Sequence, residues 1–159
     1  MRKERLQEFN LRISQASKTE LIVIMYDIIL EDIECAKEAL DTGDEKTYLH
    51  DLKHAQRFLN ELMANLNYTY SISYSLMSLY IFLNKQCIVA EREKEKKRLD
   101  DIADIVKTLR ESFAEVSKQD FSGPMMKNTQ QVYAGLTYGR GTLNETYLDP
   151  TQYNRGFKA

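Results

Sequence analysis

Ala16-Ser17-Lys18-Thr19-Glu20-Leu21-Ile22-Val23-Ile24-Met25-Tyr26-Asp27 opens a long segment that must be helical and carries more apolar side chains than one helix face can use. Ser17 and Glu20 have the S-x-x-E spacing of a capping box. The serine hydroxyl can accept the Glu20 amide, while the Glu20 carboxylate reaches back to the Ser17 amide. Downstream, Ile22, Tyr26, Ile29, Ile33, Ala36 and Leu40 recur at steps of four and three, which places them on one side of a helix. In residues 21–30 only Asp27 is polar, so the segment is apolar nearly all round. Val23, Ile24 and Ile28 point away from the seam and are surplus to it.

Three further segments repeat the pattern. Tyr48, Leu52, Ala55, Leu59, Leu62 and Leu66 form a second seam, and Leu76, Tyr80, Leu83, Cys87 and Ala90 a third. Leu99, Ile102, Val106, Leu109, Phe113 and Val116 form the fourth. Residues 17–118 hold one glycine, Gly43, and no proline, whereas 121–159 hold both prolines and five of the six glycines. The fold expected is all-α: an antiparallel up-down-up-down four-helix bundle over residues 17–118. A charged N-terminal arm over 1–16 precedes it, and an irregular C-terminal tail over 119–159 follows. Gly43 suits a left-handed helix end, Asp44 can cap the next helix, and Ser71 or Ser73 the one after. The charged run Glu91–Arg98 has no turn residue, which leaves the break between the last two helices open.

The third helix is overloaded too. Its seam leaves Met77, Ile81 and Phe82 outside. In an up-down bundle the first and third helices are parallel, so both overloaded halves lie at one end. Apolar surface of that extent needs a cover. Three are open: a second copy in a homo-oligomer, the chain's own arm or tail, or another protein. In the tail, Gln130–Tyr138, Tyr147, Tyr153 and Phe157 are the apolar-aromatic candidates.

Other chemistries find little support. With 22 basic and 24 acidic residues the net charge is −2, and no basic patch favours nucleic acid. Cys35 and Cys87 lack metal-ligand spacing and read as small buried hydrophobes. His50 and His54 have the spacing to share a metal, but they read as outward-facing and lack a full ligand set. Asp27 has no catalytic partner placed with it and reads as a rim carboxylate or a satisfied contact. No glycine-rich phosphate loop, signal peptide or membrane-length segment is visible, so a cytoplasmic protein without cofactor or metal is expected.

The chain resembles the flagellin export chaperones, the FliS-like proteins. Their helical body opens on Ala-Ser/Thr-Pro-x-Glu-Leu-Ile-x-x-Leu-Tyr-Asp. Ala16, Ser17, Glu20, Leu21, Ile22, Met25, Tyr26 and Asp27 stand in the matching places. Leu76, Leu79, Tyr80 and Ala90 match the third-helix pattern, and Leu109, Arg110 and Phe113 resemble the ending of the fourth. Lys18 replaces the usual proline. Where the family commonly has an arm tyrosine this chain has Glu8, so neighbouring Phe9, with Ile13, is the expected arm contact. The resemblance spans residues 8–118, and the tail is longer than the family's. It implies a non-enzymatic chaperone that binds the disordered C-terminal segment of flagellin, prevents premature polymerisation and serves the type III export gate. Val23, Ile24, Ile28, Met77, Ile81 and Phe82 are the expected client surface. The competing expectation is a helical adaptor or regulator for another amphipathic segment, with its own tail as an autoinhibitory cover.

Overall fold

The computed structural model describes residues 3–126. Five helices follow in chain order: α1 Lys3–Gln15, α2 Lys18–Thr42, α3 Glu45–Ala64, α4 Ile72–Glu93 and α5 Lys96–Ser117. The tail residues 127–159, including the Gln130–Tyr138 stretch, lie outside the described residues. No described helix is long and apolar enough to cross a membrane.

The helix ends follow local chemistry where the sequence supplied it. Ser17 Oγ accepts the Glu20 amide at 3.3 Å, and the Ser17 amide donates to Glu20 Oε2 at 2.8 Å, so the capping box is complete. Gly43 closes α2 in the left-handed region at φ 72°, its amide turned back to the Ala39 and Leu40 carbonyls. Asp44 then accepts the Thr47 amide at 3.1 Å and the chain reverses within a single turn. Neither serine caps α4 as expected. Ser71 makes no side-chain cap bond, and the Ser73 hydroxyl instead donates to the Asn67 carbonyl at 2.6 Å, tying the turn together. The charged run does break. Lys94 takes the left-handed conformation at φ 53°, unusual for a residue with a Cβ, and its amide closes on the Ala90 carbonyl at 2.9 Å. Its ammonium reaches Glu45 at the start of α3 at 2.9 Å.

Cross-helix pairs set the direction of each helix. Asp27 pairs with Arg110 and Lys37 with Asp100, so α2 and α5 run in opposite senses. Asn60 meets Asn84 and Gln56 meets Glu91, which makes α3 and α4 antiparallel. Gln86 accepts from Arg98 just beyond the turn from α4 into α5. The four helices α2–α5 thus close a ring in which α2 and α4 face each other across the diagonal. The seam residues fill its interior: Tyr26, Ile29, Ile33, Leu52, Leu59, Tyr80, Leu83, Leu99 and Val106 are all at most 1% exposed. Each such side chain contributes about 1.5–3 kcal/mol by leaving water. One expectation fails at the edge. Val116 is 56% exposed, because α5 runs past the end of the packed interior.

The arm is itself helical. Phe9 and Ala16 are buried against Ile24 and Ile28, with Ile13, Leu21 and Phe58 packed around them. This second, smaller cluster lies on the outer side of α2.

Candidate functional site

The surplus apolar residues fall into two surfaces of different character. On α2, Val23, Ile24 and Ile28 are 7%, 4% and 3% exposed, because α1 lies over this face. Phe9 is the arm's main insertion, and Ile13 packs at the edge of the same cluster. On α4, Ile81 and Phe82 are 40% and 45% exposed, and Met77 is half-buried. The outer faces of α2 and α4 point to opposite sides of the ring, so the structure does not join the six residues into one patch.

The α4 surface extends beyond the expected residues. Tyr74, Ile81 and Ile88 recur at a seven-residue interval and are all exposed, with Met77 between the first two. Such spacing makes a shallow apolar stripe of the kind an amphipathic helix uses. Phe82 flanks it. At the N-terminal end the Tyr68 and Tyr74 rings meet at 5.4 Å, and Tyr70 and Ile72 add exposed apolar area. These flanking residues were legible only as scattered aromatics, because their common face depends on where α4 starts.

The α2 surface is closed by polar as well as apolar contacts. Asp27 accepts from Arg12 of α1 at 2.5 Å and, through its other oxygen, from Arg110 of α5 at 2.9 Å. Asp27, the one polar residue of 21–30, is therefore a satisfied contact that clasps arm and bundle. Arg12 also lies over the Phe9 ring at 5.7 Å. Arg5 lies 3.7 Å from Glu31. These side chains are partly exposed, so each ion pair adds only modestly to the hold on α1. A cavity of about 310 Å³ remains beside the hinge between α1 and α2, with Val23, Ile24 and Ala16 among its walls. Arg12 was not singled out in the sequence, and Arg110 stood out only through the family resemblance, since nothing local marks an arginine as the partner of a distant aspartate.

The remaining candidates carry structural chemistry. Cys87 is fully buried, and burial pushes its thiol up to about 12. Burial raises Cys35 as well, so neither thiol is primed for reaction. The two histidines do not both look outward. His50 is exposed, but His54 turns in to place Nδ1 2.7 Å from Oδ2 of the fully buried Asp32. Among the described residues no group of three His, Cys, Asp or Glu side chains is arranged to hold a metal ion. Of the two apolar surfaces, one is open on α4 and the other is closed by α1.

Comparison with known proteins bears on the family and the fold. The sequence model of a family described as "Flagellar protein FliS" matches residues 1–120. Among solved structures, one described as a crystal structure of a flagellar chaperone from bacteria is 18% identical, with a TM-score of 0.61. That similarity covers 73% of this chain and 99% of the other, and at this identity it shows a shared fold. No curated protein matches the chain.

Proposed function

Because this chain belongs to the FliS family of flagellar proteins, we propose that it is a non-enzymatic cytoplasmic chaperone for the disordered C-terminal segment of flagellin. It holds that segment as amphipathic helix, prevents premature polymerisation and aids delivery of the subunit to the type III export apparatus. Met77, Ile81 and Phe82 form the open part of the client surface. Val23, Ile24 and Ile28 form a second part that a client reaches by displacing α1.

The observation that carries this reading is the exposed stripe Tyr74, Met77, Ile81 and Ile88 on a helix whose opposite face is fully buried. A partner helix laid along it buries apolar side chains at i, i+3, i+4 and i+7 positions. The half-buried methionine lets that surface adapt to its guest. Further support comes from α1, a short amphipathic helix that occupies the α2 surface through one aromatic insertion. A disordered client loses ordering entropy on binding, so a broad apolar surface is what it needs.

Co-purification with flagellin, and with flagellin lacking its C-terminal segment, tests the proposal. Ile81→Asp and Phe82→Asp should leave the helical content and melting unchanged, because both positions are exposed. Both should weaken flagellin capture by at least about tenfold, as interface anchors of this type do. Normal capture by both variants would remove α4 from the client surface. Equal capture of the truncated flagellin would redirect the assignment to another partner segment.

A further inference from the structure

After α5 the chain turns back toward the hinge between α1 and α2. The Gln119 and Asp120 amides close on the Val116 and Ser117 carbonyls at 3.0 and 3.1 Å. Asp120 Oδ1 then accepts the Ser122 amide at 3.0 Å and the Ser122 hydroxyl, which orients the carboxylate. Its other oxygen, Oδ2, accepts the amide of Thr19 at 3.3 Å. Thr19 is in the first turn of α2, where amides have no partner within the helix. The capping box satisfies the Ser17 and Glu20 amides, and Asp120 adds the Thr19 amide from just beyond the end of α5. Further on, the Met125 amide donates to the Ala16 carbonyl at 3.1 Å. Pro124 stands immediately before it and restricts the backbone that delivers that amide.

One tie lands within a short joint and the other just after it. Ala16 and Ser17 are the only residues between α1 and α2, and both are buried. For α1 to lift from Val23, Ile24 and Ile28, the backbone of this joint must rotate. Rotation at Ala16 carries its carbonyl away from Met125. Rotation at Ser17 disturbs the start of α2 that Asp120 braces. Met125 lies outside residues 1–120, the part matched by the FliS family.

We infer that residues 119–126 form a strap that locks the joint between α1 and α2 and thereby sets how readily α1 uncovers the α2 surface. The inference deepens the chaperone reading and rests on it only where it concerns the client. Each hydrogen bond of the strap adds to the free energy of opening, and the apparent affinity of any ligand that needs the open form falls by the fraction closed.

Asp120→Ala removes the brace on Thr19, and Met125→Pro removes the donor to Ala16 without touching a bundle side chain. Hydrogen exchange of the full chain, read by mass spectrometry without any client, should show residues 3–17 exchanging about three- to tenfold faster in either variant, as expected for one lost hydrogen bond. Exchange in α3 and α4 should not change. A flagellin C-terminal fragment should bind the variants tighter by a similar factor. Unchanged exchange of α1 in both variants would overturn the strap. So would a uniform rise across all helices, which is the mark of general destabilisation. Selective loosening of α1 with no flagellin binding to either protein upholds the strap and removes flagellin as the client.

Discussion

Single side chains in the interior carry consequences out of proportion to their number. Tyr26 and Tyr80 meet hydroxyl to hydroxyl across the diagonal of the ring, and Phe113 packs its ring 5.6 Å from that of Tyr26. Burial raises both phenols, so each stays neutral and the pair shares donor and acceptor roles. Tyr26→Phe leaves the Tyr80 hydroxyl buried without its partner and should cost about 1–3 kcal/mol in urea unfolding. The double replacement with Tyr80→Phe should cost less than the sum of the single ones, because no orphan remains. The buried Asp32 and the partly exposed His54 make a second pair. Burial, with Asp51 adding to it, pushes Asp32 up to about 8, and burial pushes His54 down from 6.5. A raised carboxyl favours the folded state below the ordinary aspartate range and loses that advantage as pH rises toward 8. A lowered imidazole acts in the opposite sense, since the unfolded chain takes up a proton below pH 6.5 that the folded chain refuses. Below pH 6.5 the two effects oppose each other. From pH 6.5 to 8.5 the carboxyl effect stands alone and stability should fall by about 2 kcal/mol. Urea titrations at these two pH values should show the drop, and Asp32→Asn should flatten it. The tyrosines were legible as seam positions. The inward turn of His54 was not, because it depends on a carboxylate on another helix.

Helices differ in how firmly they are held, and that difference separates scaffold from cover. α3 shows one buried seam from Tyr48 to Leu62 and a polar outer face, as its spacing required. α1 buries little beyond Phe9, while Leu6 and Leu11 stay about half exposed. A helix of 13 residues is marginal without packing, so once undocked it should melt on its own. Phe9→Ala should therefore abolish exchange protection in residues 3–15 yet lower the unfolding free energy of the α2–α5 ring by less than about 1 kcal/mol, as local opening does not require global unfolding. Leu83→Ala, by contrast, empties a fully buried site in that ring and should cost about 2–5 kcal/mol in global unfolding. Denaturation and exchange on the same samples distinguish the two behaviours. The helical state of the arm was not read from its sequence, although Leu6, Phe9 and Ile13 have helical spacing. Its dense charges hid a short apolar side. The break after α4 was obscured for a related reason: Lys94 takes the left-handed conformation with no glycine to mark it, and its ammonium pairs with Glu45 on another helix.

Over the whole molecule the ring is a scaffold that buries four seams and leaves apolar side chains on its outside. The architecture was legible because seams, the capping box and the Gly43–Asp44 reversal are written within a few residues of one another, where 3.6-residue periodicity and backbone capping act. The same local pattern established that α2 and α4 carry apolar residues beyond their seams. It did not say which surplus is covered. Ile24 and Ile28 are closed by an arm clasped through Arg12, Asp27 and Arg110, while Ile81 and Phe82 stay open. The brace from Asp120 to Thr19 spans 101 residues of sequence. Contacts of that kind have no periodic signature, because they depend on the ring first bringing the end of α5 beside the start of α2. Local spacing determined the helices and their interior faces. Only the tertiary structure decided which outer face is shut, which is open, and what holds the shut one.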